Sequence, residues 1–225
     1  MTKDLRFLGV IPARGGSKGI PRKNMIPIAS RPLLWWSIQA CKTSKLMDRF
    51  VVSTEDREIG QYAMSCGAEV LWRPKELAQD DSTTLAVLRH IIKEIQTDAV
   101  VLLQPTSPIR INGLVDRAID RYLSSNADTV ATGHMCRFWE WGTRRNLPRQ
   151  RVSGYFYDDG NVYVMNSAHL KEGLWVGEKK VPLIVESFYH IEIDDEFEAW
   201  MTEDLLLRFI NKYGEKVSNM DVFDW

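Results

Sequence analysis

The sequence predicts an α/β fold built on a doubly wound, mainly parallel sheet with helices on both faces. Short apolar runs alternate with helical segments along most of the 225 residues, a spacing typical of strand–helix–strand units. The run at 99–103 is apolar throughout, as in a strand that is buried on both of its sides. A loop rich in glycine and basic residues directly follows the first apolar run, at the edge where such sheets bind ligands.

The elements are expected in the following order. The first strand covers Leu5–Ile11, and Pro32 occupies a first-turn position of the helix that follows the loop. Gly67 is expected to end the second helix, and Ser82 to cap the start of the third. Further strands are expected at 49–54, 69–72, 99–103, 128–132, 161–165 and 183–193, and further helices at 56–66, 82–96, 112–124 and 195–212.

Composition limits the possible classes of protein. Hydrophobic residues make up 44% and charged residues 26%, and the net charge is −1. That charge gives no field to attract nucleic acid or an anionic membrane, so we expect neither as a partner. The three cysteines are far apart, which predicts reduced thiols and no zinc site. No apolar stretch reaches the ~20 residues of a membrane helix, and we expect a cytoplasmic protein.

The chain is expected to form a single domain over residues 1–225, with one insertion at about 134–160. That segment is aromatic, basic and irregular, and Trp139 and Trp141 lie in it. Aromatic residues and arginine are enriched in interface cores, so we expect the insertion to support a homodimer. A simple surface flap is the alternative.

The loop Pro12–Asn24 carries the clearest chemical signal. Three glycines allow a tight turn whose backbone N–H groups would bind phosphate oxygens. Four basic residues within ten positions would neutralise a triphosphate. The loop is neither a Walker A loop nor a GxGxxG motif, because Ser17 stands where each would need glycine. These basic residues are Arg14, Lys18, Arg22 and Lys23.

Four ordered segments together resemble the acylneuraminate cytidylyltransferases, the CMP-sialic acid synthetase family. They are IPARGGSKGIPRKN, WRPKELAQDDSTT, LLQPTSPIR and IEID, and the resemblance covers nearly the whole chain. Related CMP-Kdo synthetases have proline in the place of Asn24, so the nonulosonic-acid branch is the better match. The resemblance implies a Rossmann-like nucleotidyltransferase that uses CTP and an acidic nine-carbon sugar.

The resemblance also implies roles for individual residues. Lys23, Arg14 and Asp194 would be catalytic, with Lys23 stabilising charge at the α-phosphate. The sugar would face the loop after the fourth parallel strand, where Arg110 either binds the sugar carboxylate or braces the loop. The implied CTP-binding residues are Arg14, Gly16, Ser17, Lys18, Lys23, Asn24, Arg73, Asp80, Ser82 and Thr84. The implied sugar-binding residues are Gln104, Thr106, Ser107, Arg110, Arg149, Gln150, Tyr163 and Trp175.

Glu192 and Asp194 are the expected ligands of Mg²⁺. They are two positions apart on an expected strand and would therefore face the same side. Paired carboxylates suit this hard cation, which also takes phosphate oxygens and water. The family has two aspartates here, so the longer Glu192 would bind directly or through water. No residue stands out as the base, and a metal-bound hydroxide or Asp194 would serve.

Two other functions remain open at this point. A nucleotidyltransferase for another nucleotide or sugar would share the first loop but need a different base pocket. A binding-only homologue would be expected to lack the lysines or the carboxylate pair, yet Lys18, Lys23 and Asp194 are present. The sequence does not distinguish sialic, legionaminic and pseudaminic acids.

Overall fold

The computed structural model describes residues 5–111, 113–138, 142 and 148–214. None of the helices in these ranges is both long and apolar enough to span a bilayer. The strands are β1 Phe7–Pro12, β2 Pro27–Ile28, β3 Arg31–Pro32, β4 Arg49–Thr54, β5 Glu69–Trp72, β6 Ala99–Leu102, β7 Thr129–Cys136, β8 Tyr155–Asn166 and β9 Lys180–Ile184. The α-helices are α1 Leu33–Thr43, α2 Arg57–Ser65, α3 Thr84–Glu94, α4 Leu114–Ser125, α5 Ser167–Glu172 and α6 Glu196–Tyr213.

Seven strands form one sheet in the order β5-β4-β1-β6-β8-β7-β9. The pairs β5–β4, β4–β1, β1–β6 and β7–β9 are parallel, while β8 runs antiparallel to both of its neighbours. Buried side chains of α1, α2, α4 and α6 cover one face of the sheet, and those of α3 and α5 cover the other. The predicted doubly wound, mainly parallel fold is confirmed.

Three strand predictions were wrong in their extent. Strand β7 continues to Cys136 and β8 begins at Tyr155, because these ends pair with each other beyond the rest of the sheet. The strand expected at 183–193 is instead β9, which ends at Ile184, followed by a short 3-10 helix at Ser187–His190. Strand β9 is an edge strand, where Pro182 is tolerated within it.

The helix ends follow from capping side chains. Asp56 accepts a hydrogen bond from the Ile59 N–H and starts α2, and Gly67 follows that helix with a positive φ of 80°. Asp195 forms a capping box with Glu198 at the start of α6. The predicted cap at Ser82 was wrong, because the Thr83 hydroxyl accepts the N–H of Ala86 instead.

The insertion expected at 134–160 lies partly outside the described residues, and so do Trp139 and Trp141. Its outermost described residues, 134–136 and 155–160, belong to strands. His134, Met135 and Cys136 pair with Tyr157, Phe156 and Tyr155 as an antiparallel ladder. The domain and dimer predictions remain predictions.

Candidate functional site

A cleft of about 540 Å³ opens where β1, β5 and β6 end. Such volumes are typical of small-molecule sites, and the carboxyl edge of a parallel sheet is where this fold binds ligands. The cleft is lined by Pro12, Arg14, Ser17, Lys18, Gly19, Lys23, Asn24, Arg73, Leu77, Gln79, Asp80, Ser82, Thr84, Val87, Gln104, Pro105, Thr106 and Asp194. The structure thus brings the three predicted segments of the site together with Asp194.

The basic side chains of the first loop converge on acceptors across the cleft. The guanidinium of Arg14 donates to the Gln79 carbonyl and to Asp80 Oδ1, both at 3.1 Å. The Lys18 Nζ lies 3.0 Å from Asp80 Oδ2, and these two positive charges hold the pKa of the Asp80 carboxyl below its ordinary value. Asp80 is therefore the anionic partner of both Arg14 and Lys18.

Lys23 is the most enclosed of the loop's basic residues that line the cleft. Its side chain is 12% exposed, and Nζ donates to the Ile193 carbonyl at 2.7 Å and to Asp194 Oδ1 at 2.8 Å. The backbone of the loop passes close to the same segment, since a Cβ added at Gly19 would collide with the Asp194 carbonyl oxygen. The ammonium is thereby fixed at the floor of the cleft.

The loop is also braced from within and from β4. Asn24 is buried, and its Nδ2 donates to the Arg14 carbonyl at 2.8 Å. The Gly15 N–H, which the sequence offered as a phosphate donor, is already donated to Glu55 Oε1 at 2.7 Å. Gly16 has open space where a Cβ would stand.

Glu55 is a residue that sequence reasoning missed. Its second oxygen accepts from Arg73 Nε at 3.1 Å, and the Arg73 side chain is only 3% exposed. Burial lowers the pKa of Arg73, while the Glu55 charge acts in the opposite direction. Its position could have indicated Glu55, because this residue directly follows a parallel strand at the ligand-binding edge of the sheet.

Ser82 and Thr84 line the cleft beside Arg73. The Ser82 hydroxyl donates to the Glu76 carbonyl at 2.8 Å, and Thr84 is the first residue of α3. Leu77 and Val87 add apolar surface to the lining of the cleft. A flat ring with polar edges would find both apolar contact and short polar side chains here.

The loop after β6 is divided between the cleft and the core. Gln104 and Thr106 line the cleft, whereas Ser107 is buried and donates its hydroxyl to the Asp159 carbonyl at 3.1 Å. Arg110 is 3% exposed, and it donates to three protein acceptors: the Asn161 carbonyl at 2.9 Å, the Ser37 hydroxyl at 3.0 Å and the Gln104 carbonyl at 2.6 Å. These contacts favour the bracing alternative for Arg110.

A second buried charge lies near Arg110. Asp159 is 2% exposed, and its Oδ1 accepts from the Thr132 hydroxyl at 2.6 Å and the Asn161 N–H at 3.0 Å. Burial raises the pKa of the Asp159 carboxyl, and it lowers the pKa of Arg110 to about 10. Among the described residues Asp159 Oδ2 has no hydrogen-bond partner, and the charge of Arg110 partly opposes the effect of burial on the pKa of Asp159.

Replacing Asp159 with asparagine should remove a pH dependence of stability. The folded-state pKa of Asp159 is raised, so the folded protein binds more protons than the unfolded chain above the unfolded pKa. The free energy of unfolding of the wild type should therefore fall, relative to Asp159→Asn, as the pH rises through the folded-state pKa. Urea unfolding at about pH 4 and about pH 7 measures the difference. Asp120 is exposed, and for Asp120→Asn the difference in free energy of unfolding from the wild type should be the same at both pH values. The same constant difference for Asp159→Asn would contradict the prediction.

Glu192 and Asp194 are not on a strand as predicted, but in an irregular segment before α6. Ile193 between them is fully buried, whereas Glu192 is partly buried and Asp194 is exposed. Glu192 Oε1 accepts from the Thr106 hydroxyl at 3.1 Å. Burial, together with the charges of Asp194 and Asp158, raises the pKa of Glu192.

Of the remaining predicted sugar residues, Arg149 and Gln150 precede β8, Tyr163 lies on β8 and Trp175 follows it. Tyr163 donates its hydroxyl to Asp158 Oδ2 at 2.5 Å, and its ring centroid is 5.7 Å from that of Trp175. Gln150 is exposed in a 3-10 helix at Arg149–Arg151, and the side chain of Arg149 lies outside the described part of the structure. Two histidines that are distant in sequence also meet, since the rings of His134 and His190 are 4.7 Å apart.

The fold and the basic cleft define a nucleotidyltransferase-like α/β protein. CMP:2-keto-3-deoxy-manno-octonic acid synthetase, solved as a complex with CTP, superposes with a TM-score of 0.73 at 12% identity, over 90% of this chain and 99% of that one. A cytidylyltransferase from Leptospira borgpetersenii superposes with a TM-score of 0.62 at 17% identity, over 97% of this chain and 99% of that one. At these identities the likeness establishes the shared fold.

Sequence comparison gives the family. A profile described as cytidylyltransferase matches residues 8–144. The N-acylneuraminate cytidylyltransferase of Escherichia coli is 37% identical over 96% of this chain and 58% of its own length. The pseudaminic acid cytidylyltransferase of Campylobacter jejuni is 31% identical over 74% of this chain and 70% of its own. The chain belongs to the cytidylyltransferase family.

Relatives of different length share this similarity. A CMP-N,N'-diacetyllegionaminic acid synthase of Legionella pneumophila is 28% identical over 90% of this chain and 97% of its own length. In contrast, the matches span 52% of the N-acylneuraminate cytidylyltransferase A of Danio rerio and 58% of the Escherichia coli protein. The chain therefore covers little more than half of those two relatives.

Proposed function

We propose that this protein couples CTP to a nonulosonic acid, giving the CMP-sugar and pyrophosphate. The observation that carries the proposal is the placement of Lys23, which joins the basic loop to Asp194 at the floor of a nucleotide-sized cleft. The names of the relatives support both substrates, because they include synthases for sialic, pseudaminic and legionaminic acids.

In this proposal the cleft binds CTP with its phosphates on the basic loop. Arg14 and Lys18 exchange Asp80 for phosphate oxygens, since an anion with several charges competes well for two cations. Arg73, Ser82 and Thr84 also line the cleft and would read the cytosine, whose face Leu77 and Val87 would contact. Asn24 and Glu55 hold the loop and Arg73 in place through the hydrogen bonds described above.

The reaction itself is a substitution at the α-phosphorus. The anomeric hydroxyl oxygen of the sugar forms a bond to that phosphorus, its proton is lost, and the bond to the bridging oxygen of pyrophosphate breaks. Lys23 stabilises the negative charge that develops on the phosphoryl oxygens, and its enclosure strengthens this effect. Gln104 and Thr106 face the cleft and contact the sugar, while Arg110 keeps their loop in position.

Mg²⁺ is the metal we propose for this site. Glu192 and Asp194 each retain a carboxylate oxygen without a described hydrogen bond, and hard oxygen ligands suit this ion. Among the described residues no three metal-ligating side chains converge, so phosphate oxygens and water would complete the coordination. When bound, the ion would supply additional charge neutralisation at the phosphates.

We further propose a homodimer formed through the β7–β8 ends, and a cytoplasmic location. Large apolar side chains are exposed on these strand ends and just beyond them, at Phe138 (73%), Tyr155 (54%) and Tyr157 (47%). Exposed aromatic patches of this kind are typical of protein interfaces. Sedimentation of the protein would reveal the dimer, and a monomer at micromolar concentration would contradict it.

Pyrophosphate release is the direct test of the proposed reaction. The protein is incubated with Mg²⁺, each of the four nucleoside triphosphates and a panel of sialic, legionaminic and pseudaminic acids. The proposal expects release with CTP and one or more of these sugars. Release with another nucleotide would favour a different nucleotidyltransferase, and CTP binding without release would favour a binding-only protein.

Gly19→Ala should lower turnover of CTP at least about tenfold, because the added methyl group would displace the Asp194 carbonyl and the carboxylate that pairs with Lys23. Gly16→Ala is the matched control, since the same methyl group meets no atom within 4 Å and should cost much less. Initial rates at saturating CTP and sugar measure both. Equal losses in the two variants would contradict the role given to close packing at Gly19.

A further inference from the structure

Glu55 occupies a position between the two halves of the nucleotide cleft. It directly follows β4, and its side chain is 15% exposed. Oε1 accepts the Gly15 N–H of the basic loop at 2.7 Å, and Oε2 accepts the Arg73 Nε at 3.1 Å. One carboxylate therefore contacts both the loop proposed for the triphosphate and the arginine proposed for the base.

Contacts of the two neighbouring residues, Thr54 and Asp56, fix the turn that carries Glu55. The Thr54 carbonyl accepts the N–H of Arg73, and Thr54 and Trp72, which precede Glu55 and Arg73, are paired in the β4–β5 ladder. The next residue, Asp56, caps α2 and accepts both ends of the Arg22 guanidinium at 3.1 Å. The turn after β4 thus holds the basic loop at Gly15 and again at Arg22.

The contact with Arg73 also has an electrostatic consequence. The Arg73 side chain is almost fully buried and lies near the like charge of Arg14. A buried guanidinium without an anionic partner would be unstable here, and the side chain would turn toward solvent. Glu55 supplies the compensating charge for Arg73, which lines the cleft.

We propose that Glu55 is a positioning residue that couples triphosphate binding to base recognition in this cleft. The inference rests on the proposed function for the identity of the nucleotide. The carboxylate sets the path of the loop through Gly15 and the orientation of the base-reading guanidinium through Arg73. Loss of either oxygen as an acceptor would disturb both ends of the nucleotide.

The test uses Glu55→Gln, which keeps the length of the side chain but offers one acceptor oxygen in place of two. Calorimetry measures binding of three probes to the full chain: CTP, inorganic tripolyphosphate for the loop, and cytidine for the base end. Because hydrogen bonds to charged groups are strong, we expect both partial probes to bind about tenfold more weakly. The matched control is Glu69→Gln, since Glu69 and Arg49 form an exposed ion pair and the substitution should leave all three affinities within about twofold.

If Glu55→Gln weakens the binding of only one of tripolyphosphate and cytidine, or of neither, the proposed coupling is wrong. The ratio of CTP to UTP turnover provides a second readout that a purely structural defect would not change, and we expect it to fall in Glu55→Gln. If Glu55→Gln does not fold, the double variant Glu55→Gln, Arg73→Gln removes the buried guanidinium that would have lost its partner. Binding of tripolyphosphate to the double variant then tests whether Glu55 positions the loop. Binding of the probes requires no sugar, so failure of the proposed reaction in the wild type is distinguished from failure of the coupling.

Discussion

Lys23→Met should reduce pyrophosphate release from CTP by about a hundredfold to a thousandfold, the range found when a preorganised donor to a transition-state charge is removed. Methionine retains the unbranched stem of lysine but loses the ammonium, together with its hydrogen bonds to Ile193 and Asp194. The loss should appear mainly in kcat, because Arg14 and Lys18 remain available to the phosphates.

Steady-state kinetics with saturating sugar separates the two parameters for Lys23→Met. Lys93→Met is the matched control, because Lys93 is exposed near the end of α3 and does not line the cleft. Retention of more than about a tenth of the wild-type kcat would remove Lys23 from its catalytic role. A rise in the KM for CTP with unchanged kcat would instead assign it to ground-state binding.

Arg110→Met should lower the free energy of unfolding by about 3–5 kcal/mol, because three buried or partly buried acceptors lose a charged donor, at about 1–3 kcal/mol each. Three hydrogen bonds disappear, and the buried Asp159 carboxylate loses its nearby guanidinium. The loop after β6 is then held less firmly, so the KM for the sugar should rise as well.

Urea unfolding measures the stability of Arg110→Met, and Arg121→Met serves as the control because Arg121 is exposed on α4. Arg110→Lys should recover part of the loss, since lysine keeps the charge but cannot reach all three acceptors. A higher KM for the sugar with unchanged stability would contradict bracing. It would favour the alternative in which Arg110 binds the sugar carboxylate.

Much of the parallel half of the sheet could be predicted because local signals coincide there. Strands buried on both faces are apolar throughout, as in Ala99–Leu102, and the intervening helices begin and end at capping residues such as Asp56 and Gly67. The basic loop was visible because its charges and glycines are consecutive in sequence. The structure brings Arg14, Lys18 and Lys23 to the same cleft.

The second half of the chain was harder to predict because its strands are defined by distant partners. The length of β8 depends on pairing with β6 on one side and β7 on the other, and nothing in the local pattern of Tyr155–Asn166 specifies either. Glu55 was missed for a similar reason. Its importance arises from Gly15 and Arg73, which are brought to it only by the folded sheet.

The hydrogen bond from Lys23 to the Ile193 carbonyl joins residues 170 positions apart. Because the chain is synthesised from its amino terminus, β1 and the basic loop are made long before Ile193, which accepts the hydrogen bond of Lys23. The early strands could pair in that interval, but the ammonium would lack its fixed position. Competence for turnover should therefore be acquired late in biogenesis, and proteolytic removal of the segment that carries Ile193 and Asp194 should abolish it even where nucleotide still binds.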